Sequence, residues 1–589
     1  MTAGRPGRRL FLIDTPPPSV VGRTPQLTHV VAYVQMDVLA RYAAMNGREV
    51  RFPVGWDDNV DAAPRPGAED QADFEELWRG LGISVDWRHC YRTSGEDAAR
   101  VAQAAFLHDL ARGRVRPGPV VGLVDPVCGD FWPFEDAPEQ RVRPCGHELV
   151  PAEREAWLLR SPDDVAVLTE HAEQLTWHPA HMEARFLDLV RTRRHSSAMS
   201  ERRSVGIPVP VWLPLDETGR PDRARPILPD PTRLPIDPAS QTPPGRRESE
   251  RGRPGGYAAD EHRLTGTATA SVTTGIVEAT SPLAPTPEDD VVHVRPQGGY
   301  IMQSWLVDSL LRHDAASRPW TDVLISGWLR PGAPGTEAAR MWSDGPAALT
   351  RRHGGDGVRM WAASRPPGRD FLPSESAMVG GRRLASTLLT LAELGDADAG
   401  VSEVDELLDL SMLAAVRRAV QQMTAALDDF RYDRATRIGA TLVRTLDRDF
   451  CALTRADAGQ EPRRSRSAQH ALRAAMRVVL RLMAPFMPSA ASEGWVGGRY
   501  GSGTIHTAAW PAAHEIPAGP GPDLYETFST VLAIGRAARV RTARTAYVAG
   551  PPGTLELLRP ATADLVRGLG VTTIELVAAD RLAVTATGP

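Results

Sequence analysis

The run Arg9-Leu10-Phe11-Leu12-Ile13-Asp14 stops at Thr15-Pro16-Pro17-Pro18, and this junction constrains the fold more than any other stretch of the chain. An apolar run cut off by prolines predicts a strand buried on both faces. A helix follows from about His29 to Met45: Val30, Tyr33, Val34, Val38, Tyr42 and Met45 recur at helical spacing, and Asn46-Gly47 stops it. Val50-Arg51-Phe52-Pro53-Val54 then returns as a strand. Parallel neighbours need a crossover helix, so strand–helix–strand in this order predicts a doubly wound α/β sheet. Ligands of such sheets sit at the strand C-termini, here Asp14 and Gly55-Trp56-Asp57-Asp58-Asn59.

With 589 residues the chain exceeds one hydrophobic core, and about three to five domains are expected. The stretch from about 66 to 115 reads as helical with a break around Gly82 to Trp87, and about 118 to 152 reads as irregular. Trp212 to about Tyr257 is dense in Pro, Arg and Gly, which predicts an extended surface excursion. Strands are expected again at Val291–Val294 and Val323–Trp328. Long amphipathic helices such as Ser402 to Asp429 and Ala468 to Pro485 predict a bundle over about 376 to 500. From Pro522 onward helix and strand patterns alternate as a small α/β module.

A net charge of −5 gives no global basic field, so contact with nucleic acid would need a local patch. Four dispersed cysteines and no apolar run of membrane length predict a cytoplasmic protein without a disulfide framework, and no membrane or DNA partner. Cys128, Cys145 and His147 lack knuckle spacing and a fourth ligand, so no metal site is predicted. All 68 basic residues are arginine. Coding bias in a GC-rich genome explains the origin of that choice, but the chain still has no side-chain ammonium group.

Ordered blocks along the chain resemble a class I aminoacyl-tRNA synthetase, in particular a valyl-tRNA synthetase of the actinobacterial kind. They include Ile13-Asp14-Thr15-Pro16-Pro17-Pro18, Asp37-Val38-Leu39-Ala40-Arg41-Tyr42, Gly55-Trp56-Asp57-Asp58-Asn59 and Leu81-Gly82-Ile83-Ser84-Val85-Asp86-Trp87. Trp177-His178-Pro179, Gly206-Ile207-Pro208-Val209-Pro210-Val211-Trp212, Arg295-Pro296-Gln297-Gly298 and Ile325-Ser326-Gly327-Trp328 follow in family order. Trp361-Ala362-Ala363-Ser364, Gly381-Arg382-Arg383-Leu384-Ala385, Ala484-Pro485-Phe486-Met487-Pro488 and Ala509-Trp510-Pro511 complete the set. The resemblance implies an α/β Rossmann-type catalytic domain (1–117 and 166–375) with a shortened connective insertion (118–165). It further implies an all-α anticodon-binding-like bundle (376–515) and a small C-terminal α/β module (516–589). About fifty residues stand where the family carries its editing domain, which implies that proofreading is absent.

The departures from the family pattern bear on function. The family's His-x-Gly-His, which holds ATP phosphates, reads Gln26-Leu27-Thr28-His29 here. His29 is the candidate catalytic and phosphate contact, against a reading as a residue that merely starts the helix. The lysine loop expected after Ile325-Ser326-Gly327-Trp328 is replaced by Gly332-Ala333-Pro334-Gly335-Thr336-Glu337-Ala338-Ala339-Arg340. Arg340 is the remaining candidate there, against a surface pair with Glu337. Gln297 and Gly298 complete the candidate cofactor contacts, and ATP is the cofactor the family implies. The residues beyond them, Gly299, Tyr300 and Gln303, differ from the family, as do Thr265-Gly266-Thr267 and Ser197 to Arg202. Pro17, Pro18, Asp57 and Asp58 are the candidate amino-acid contacts, against a role in holding their turns. For RNA the candidates are Arg193, Arg194, Arg463, Arg464 and Arg466, with Arg536, Arg539, Arg541 and Arg544 as a further cluster.

The expected function is that of a divergent valyl-tRNA synthetase-like protein without editing or housekeeping aminoacylation. It would still bind a small amino acid, a tRNA or a protein partner. The alternatives are a ligase repurposed to form an amide or ester from an activated amino acid, and a diverged but active valine–tRNA ligase.

Overall fold

The computed structural model describes residues 10–20, 24–59, 70–127, 131–133, 147–159, 164–192, 197–280, 290–296, 305–313, 320–395, 404–451, 453, 462–496, 500–517, 519–541 and 543–586. Five parallel strands form the central sheet in the order Glu49–Arg51, Leu10–Asp14, Asp290–Pro296, Asp322–Ser326, Thr176–His178. All five residues of Leu10–Asp14 are buried, as a central strand covered on both faces requires. The first helix, Leu27–Met45, is buried on most of its surface and ends where Gly47 adopts φ +81°. The second expected strand is interrupted at Phe52. Its continuation, Pro53–Trp56, pairs in parallel with Asp86–Arg92. That partner strand lies in the stretch read as helical, between helices Asp70–Gly80 and Glu96–Ala111. Its sequence, DWRHCYR, is too polar to show an alternating pattern.

Two further expectations change. Val115–Val124 pairs antiparallel with Val150–Leu159 over ten positions, so the stretch expected to be irregular opens and closes as a long ribbon. Pro117, Gly118 and Pro119 break any alternation on one strand, and Glu153-Arg154-Glu155 is continuously polar on the other, which hid the pairing. The Pro-rich excursion from Trp212 also enters the core: Trp212, Leu213, Leu234, Ile236 and Tyr257 are buried. The Trp212 indole N–H donates to the carbonyls of Pro238 and Gln241, both at 3.0 Å.

Helices Glu375–Gly395, Leu407–Asp428, Tyr432–Thr445, Pro462–Met483 and Pro488–Trp495 form the bundle and share one hydrophobic core with the first helix and the strand Pro53–Trp56. The joint between bundle and sheet is ionic. Asp37 and Arg359, both fully buried, meet at 2.6 Å, and Arg41 Nε reaches the same carboxylate at 2.8 Å. Arg359 also donates to the carbonyls of Pro485 at 2.6 Å and Leu81 at 3.3 Å, so one guanidinium ties three segments together. In the C-terminal module Thr545–Gly550 lies between parallel Thr573–Ala578 and antiparallel Ala583–Ala586. Among the described residues no helix is long and apolar enough to cross a membrane.

Candidate functional site

The turn after the first strand is stitched to the segment after Pro53–Trp56. The Asp57 N–H donates to the Pro18 carbonyl at 2.9 Å, and the Val20 N–H to the Asp57 carbonyl at 3.0 Å. Pro17 and Pro18 are buried beneath this rung. The Thr93 hydroxyl donates to Asp57 Oδ1 at 2.8 Å and accepts the N–H groups of Asp58 and Asn59, each at 3.1 Å. Asp58 turns outward to Arg92, at 3.0 Å. The two adjacent acids therefore differ: Asp58 has a cationic partner, while Asp57 faces inward. Burial pushes the Asp57 carboxyl above its ordinary range against the Thr93 hydrogen bond, and the neighbouring Asp58 charge adds to the rise.

Asp14 closes the same end of the sheet. The Trp320 indole N–H and the Thr274 hydroxyl donate to its Oδ2 at 2.8 and 3.0 Å. Glu278 stands one turn beyond Thr274 on the same helix face, and burial together with the Asp14 charge raises its carboxyl. Between Asp14 and Asp57 lies Tyr91, whose phenol is driven well up by burial and by the nearby Asp14, Tyr33 and Asp57. Its ring lies against Gly55, where a β-carbon would overlap it, so this glycine makes room for the tyrosine. Tyr33 is stacked between Trp78 and Phe52, and its buried hydroxyl has no hydrogen-bond partner among the described residues. Carboxylates and phenols thus converge at the strand ends, a donor set suited to a cation such as an ammonium group.

The candidate phosphate contacts are engaged elsewhere. His29 Nδ1 accepts the Gln26 backbone N–H at 3.0 Å, and its ring sits edge-on to buried Phe74 at 5.3 Å. Accepting at Nδ1 fixes the neutral tautomer with its proton on Nε2 and closes the helix start. Arg340 pairs with Glu375 at 2.6 Å, not with Glu337. Gln297, Gly298 and the altered positions Gly299, Tyr300 and Gln303 lie outside the described residues. Among the described residues, the contacts of His29 and Arg340 are thus made to the protein itself.

The other altered positions carry structural bonds. Thr265 caps the helix Gly266–Ala270 by accepting the Ala268 N–H at 3.1 Å. Arg202 pairs with Glu261 at 2.6 Å. Asn59, in the retained block Gly55 to Asn59, forms a buried knot: its amide donates to the Leu264 carbonyl at 3.0 Å, and its oxygen accepts from Ile207 N–H at 3.0 Å and Arg203 at 3.1 Å.

Of the RNA candidates, Arg466 is exposed on the helix Pro462–Met483, while the side chains of Arg463 and Arg464, and all of Arg193 and Arg194, lie outside the described residues. Arg536 is tied to buried Asp449 at 2.6 Å. The structure adds a row that the sequence did not reveal. Arg434, Arg437, Arg444 and Arg448 are exposed along one face of Tyr432–Thr445 and the turn after it. The signal was their spacing of three, seven and four, which is visible only once that segment is known to be one helix. Of the residues weighed for zinc, His147 pairs with Asp125 at 3.3 Å, and Cys128 and Cys145 lie outside the described residues.

Comparisons with known proteins agree with this architecture. The model for the anticodon-binding domain of tRNA ligase matches residues 409–546, and that for class I tRNA synthetases (I, L, M and V) matches residues 2–60. The valine–tRNA ligase of Thermobifida fusca is 28% identical, over 86% of this chain and 83% of that protein. That of Leifsonia xyli subsp. xyli is also 28% identical, over 96% and 93%. Among solved structures, the LeuRS of Agrobacterium radiobacter K84, in a ternary complex with tRNA and LeuAMS, superposes with a TM-score of 0.63 at 13% identity, covering 93% of this chain and 90% of that one. The Mycobacterium tuberculosis methionyl-tRNA synthetase bound to methionyl-adenylate gives 0.60 at 16% identity, over 82% and 93%. The chain therefore carries matches to the class I tRNA synthetase and anticodon-binding models and is similar over most of its length to actinobacterial valine–tRNA ligases.

Proposed function

We propose that this valyl-tRNA synthetase-like protein binds a small amine or amino acid at its strand ends and RNA along its bundle, without ATP-dependent valylation at housekeeping rates. One observation carries the reading. The Asp14 and Asp57 carboxylates that would receive an ammonium group lie at the same end of the sheet, while His29 accepts the Gln26 backbone N–H and Arg340 pairs with Glu375. Burial raises the Asp57 carboxyl although the Thr93 hydrogen bond and the Arg203 charge oppose the rise, so an ammonium ligand would stabilise its charged form. Trp320 and Thr274 orient Asp14 for the same ligand. The Thermobifida alignment supports a missing editing function: it runs over 739 positions yet uses only 86% of a 589-residue chain, so the relative carries long stretches that this chain lacks.

Two assays test the halves separately. ATP–pyrophosphate exchange over a panel of amino acids is expected to be silent, and amino-acid-dependent exchange would sink that half. Calorimetry with valine and with isobutylamine is expected to give binding that weakens about tenfold or more in Asp57→Asn, as removal of one charge-assisted hydrogen bond should. Binding that is unchanged in both Asp57→Asn and Asp14→Asn would remove the amine site.

A further inference from the structure

We infer that the segment Gly332–Arg340 is a fixed clasp that fastens the strand Asp322–Ser326 to the bundle helix Glu375–Gly395, instead of a loop free to close over the strand ends. The inference does not depend on the amine site. Both ends of the segment are anchored. Upstream, the Phe371 N–H donates to the Trp328 carbonyl at 3.0 Å, and the Arg330 N–H to the Phe371 carbonyl at 2.9 Å. The Arg330 guanidinium lies over Trp328 and grips Asp370 through Nε and Nη2 at 3.1 and 2.8 Å. Gly327 permits this approach, because a β-carbon there would overlap the Arg369 carbonyl oxygen.

Downstream, two helices begin on one another. Thr336 caps the helix Glu337–His353, accepting the Ala339 N–H at 3.3 Å while its hydroxyl donates to Ala333. Glu337, the first residue of that helix, accepts the Glu375 N–H at 2.8 Å and so caps the start of Glu375–Gly395. In return the Glu375 carboxylate takes Arg340 at 2.6 Å on one oxygen and Arg352 at 3.4 Å on the other. A carboxylate at a helix N-terminus is favoured by the helix dipole and by the unpaired N–H groups there. Only a short loop separates the anchors, and Gly332 and Gly335 supply its left-handed turns at φ +82° and +81°. Little closure entropy opposes so short a tether.

Hydrogen exchange on the full chain tests the clasp at one amide. Glu337 is the acceptor of the Glu375 N–H, so that amide is expected to be protected in the wild type and to exchange at least about tenfold faster in Glu337→Ala. Amides of Val323 to Ile325 in the central sheet serve as the folding control. Arg340→Ala, which leaves that acceptor in place, is expected to accelerate Glu375 less than Glu337→Ala does. A Glu375 amide that exchanges freely in the wild type, or at the same rate in Glu337→Ala, would overturn the clasp.

Discussion

Asp37 shows how much one buried charge decides. Burial alone would raise its carboxyl, but Arg41, Arg359 and the Ser84 hydrogen bonds override this and hold it at about 2, below the usual 3.8. The folded state therefore favours the carboxylate. Its stabilisation is complete above the ordinary value and is lost as pH falls through about 2. Wild-type stability measured by denaturant is expected to drop over that window, and Asp37→Asn to flatten the drop. At neutral pH the same variant leaves Arg359 buried without its counter-charge, and a loss of about 3–5 kcal/mol is expected. Arg359→Met in the same background should recover part of it, since removing both charges is cheaper than removing one. Gly55→Ala is a steric test. Its new methyl would meet the Tyr91 ring, and a loss of about 1–3 kcal/mol in unfolding free energy is expected. His29→Ala should cost about 1 kcal/mol through removal of the cap at Gln26, without any change in pyrophosphate exchange.

At the scale of elements, the expectations that held were those with a strong period. Leu10–Asp14, the first helix and the bundle helices are recognisable because an apolar face repeats at spacing two or 3.6. The strand Asp86–Arg92 and the ribbon Val115–Val124 with Val150–Leu159 were not, because partly exposed, polar strands are stabilised by partners distant in sequence. The same holds within the site. Asp57 stood out from its place after a strand, whereas Tyr91 and Thr274 look like ordinary strand or helix residues until the fold brings them beside Asp14. The arginine row belongs to this scale too. Replacing Arg434, Arg437 and Arg444 by alanine is expected to weaken RNA binding at low salt. It should also flatten the dependence of log affinity on log salt, by about 0.7–0.9 for each phosphate no longer neutralised. Filter binding with tRNA across a salt series measures it, and an unchanged slope would remove this face from the interface.

Over the whole molecule, the absence of lysine changes in meaning. By itself it is a composition, and arginine can replace lysine at many phosphate contacts. In the structure the arginines nearest the expected phosphate loop hold carboxylates: Arg330 grips Asp370 and Arg340 grips Glu375. The sequence alone determined the α/β sheet, the bundle and the C-terminal module, because hydrophobic periodicity and turn residues are local signals. It also determined which family motifs are altered. Only the tertiary structure decided what residues in the altered motifs do instead: the retained His29 closes its helix, Thr265 caps another, and Glu337 and Arg340 join two helices. Those roles are set by distances between residues far apart in the chain, which local spacing does not encode.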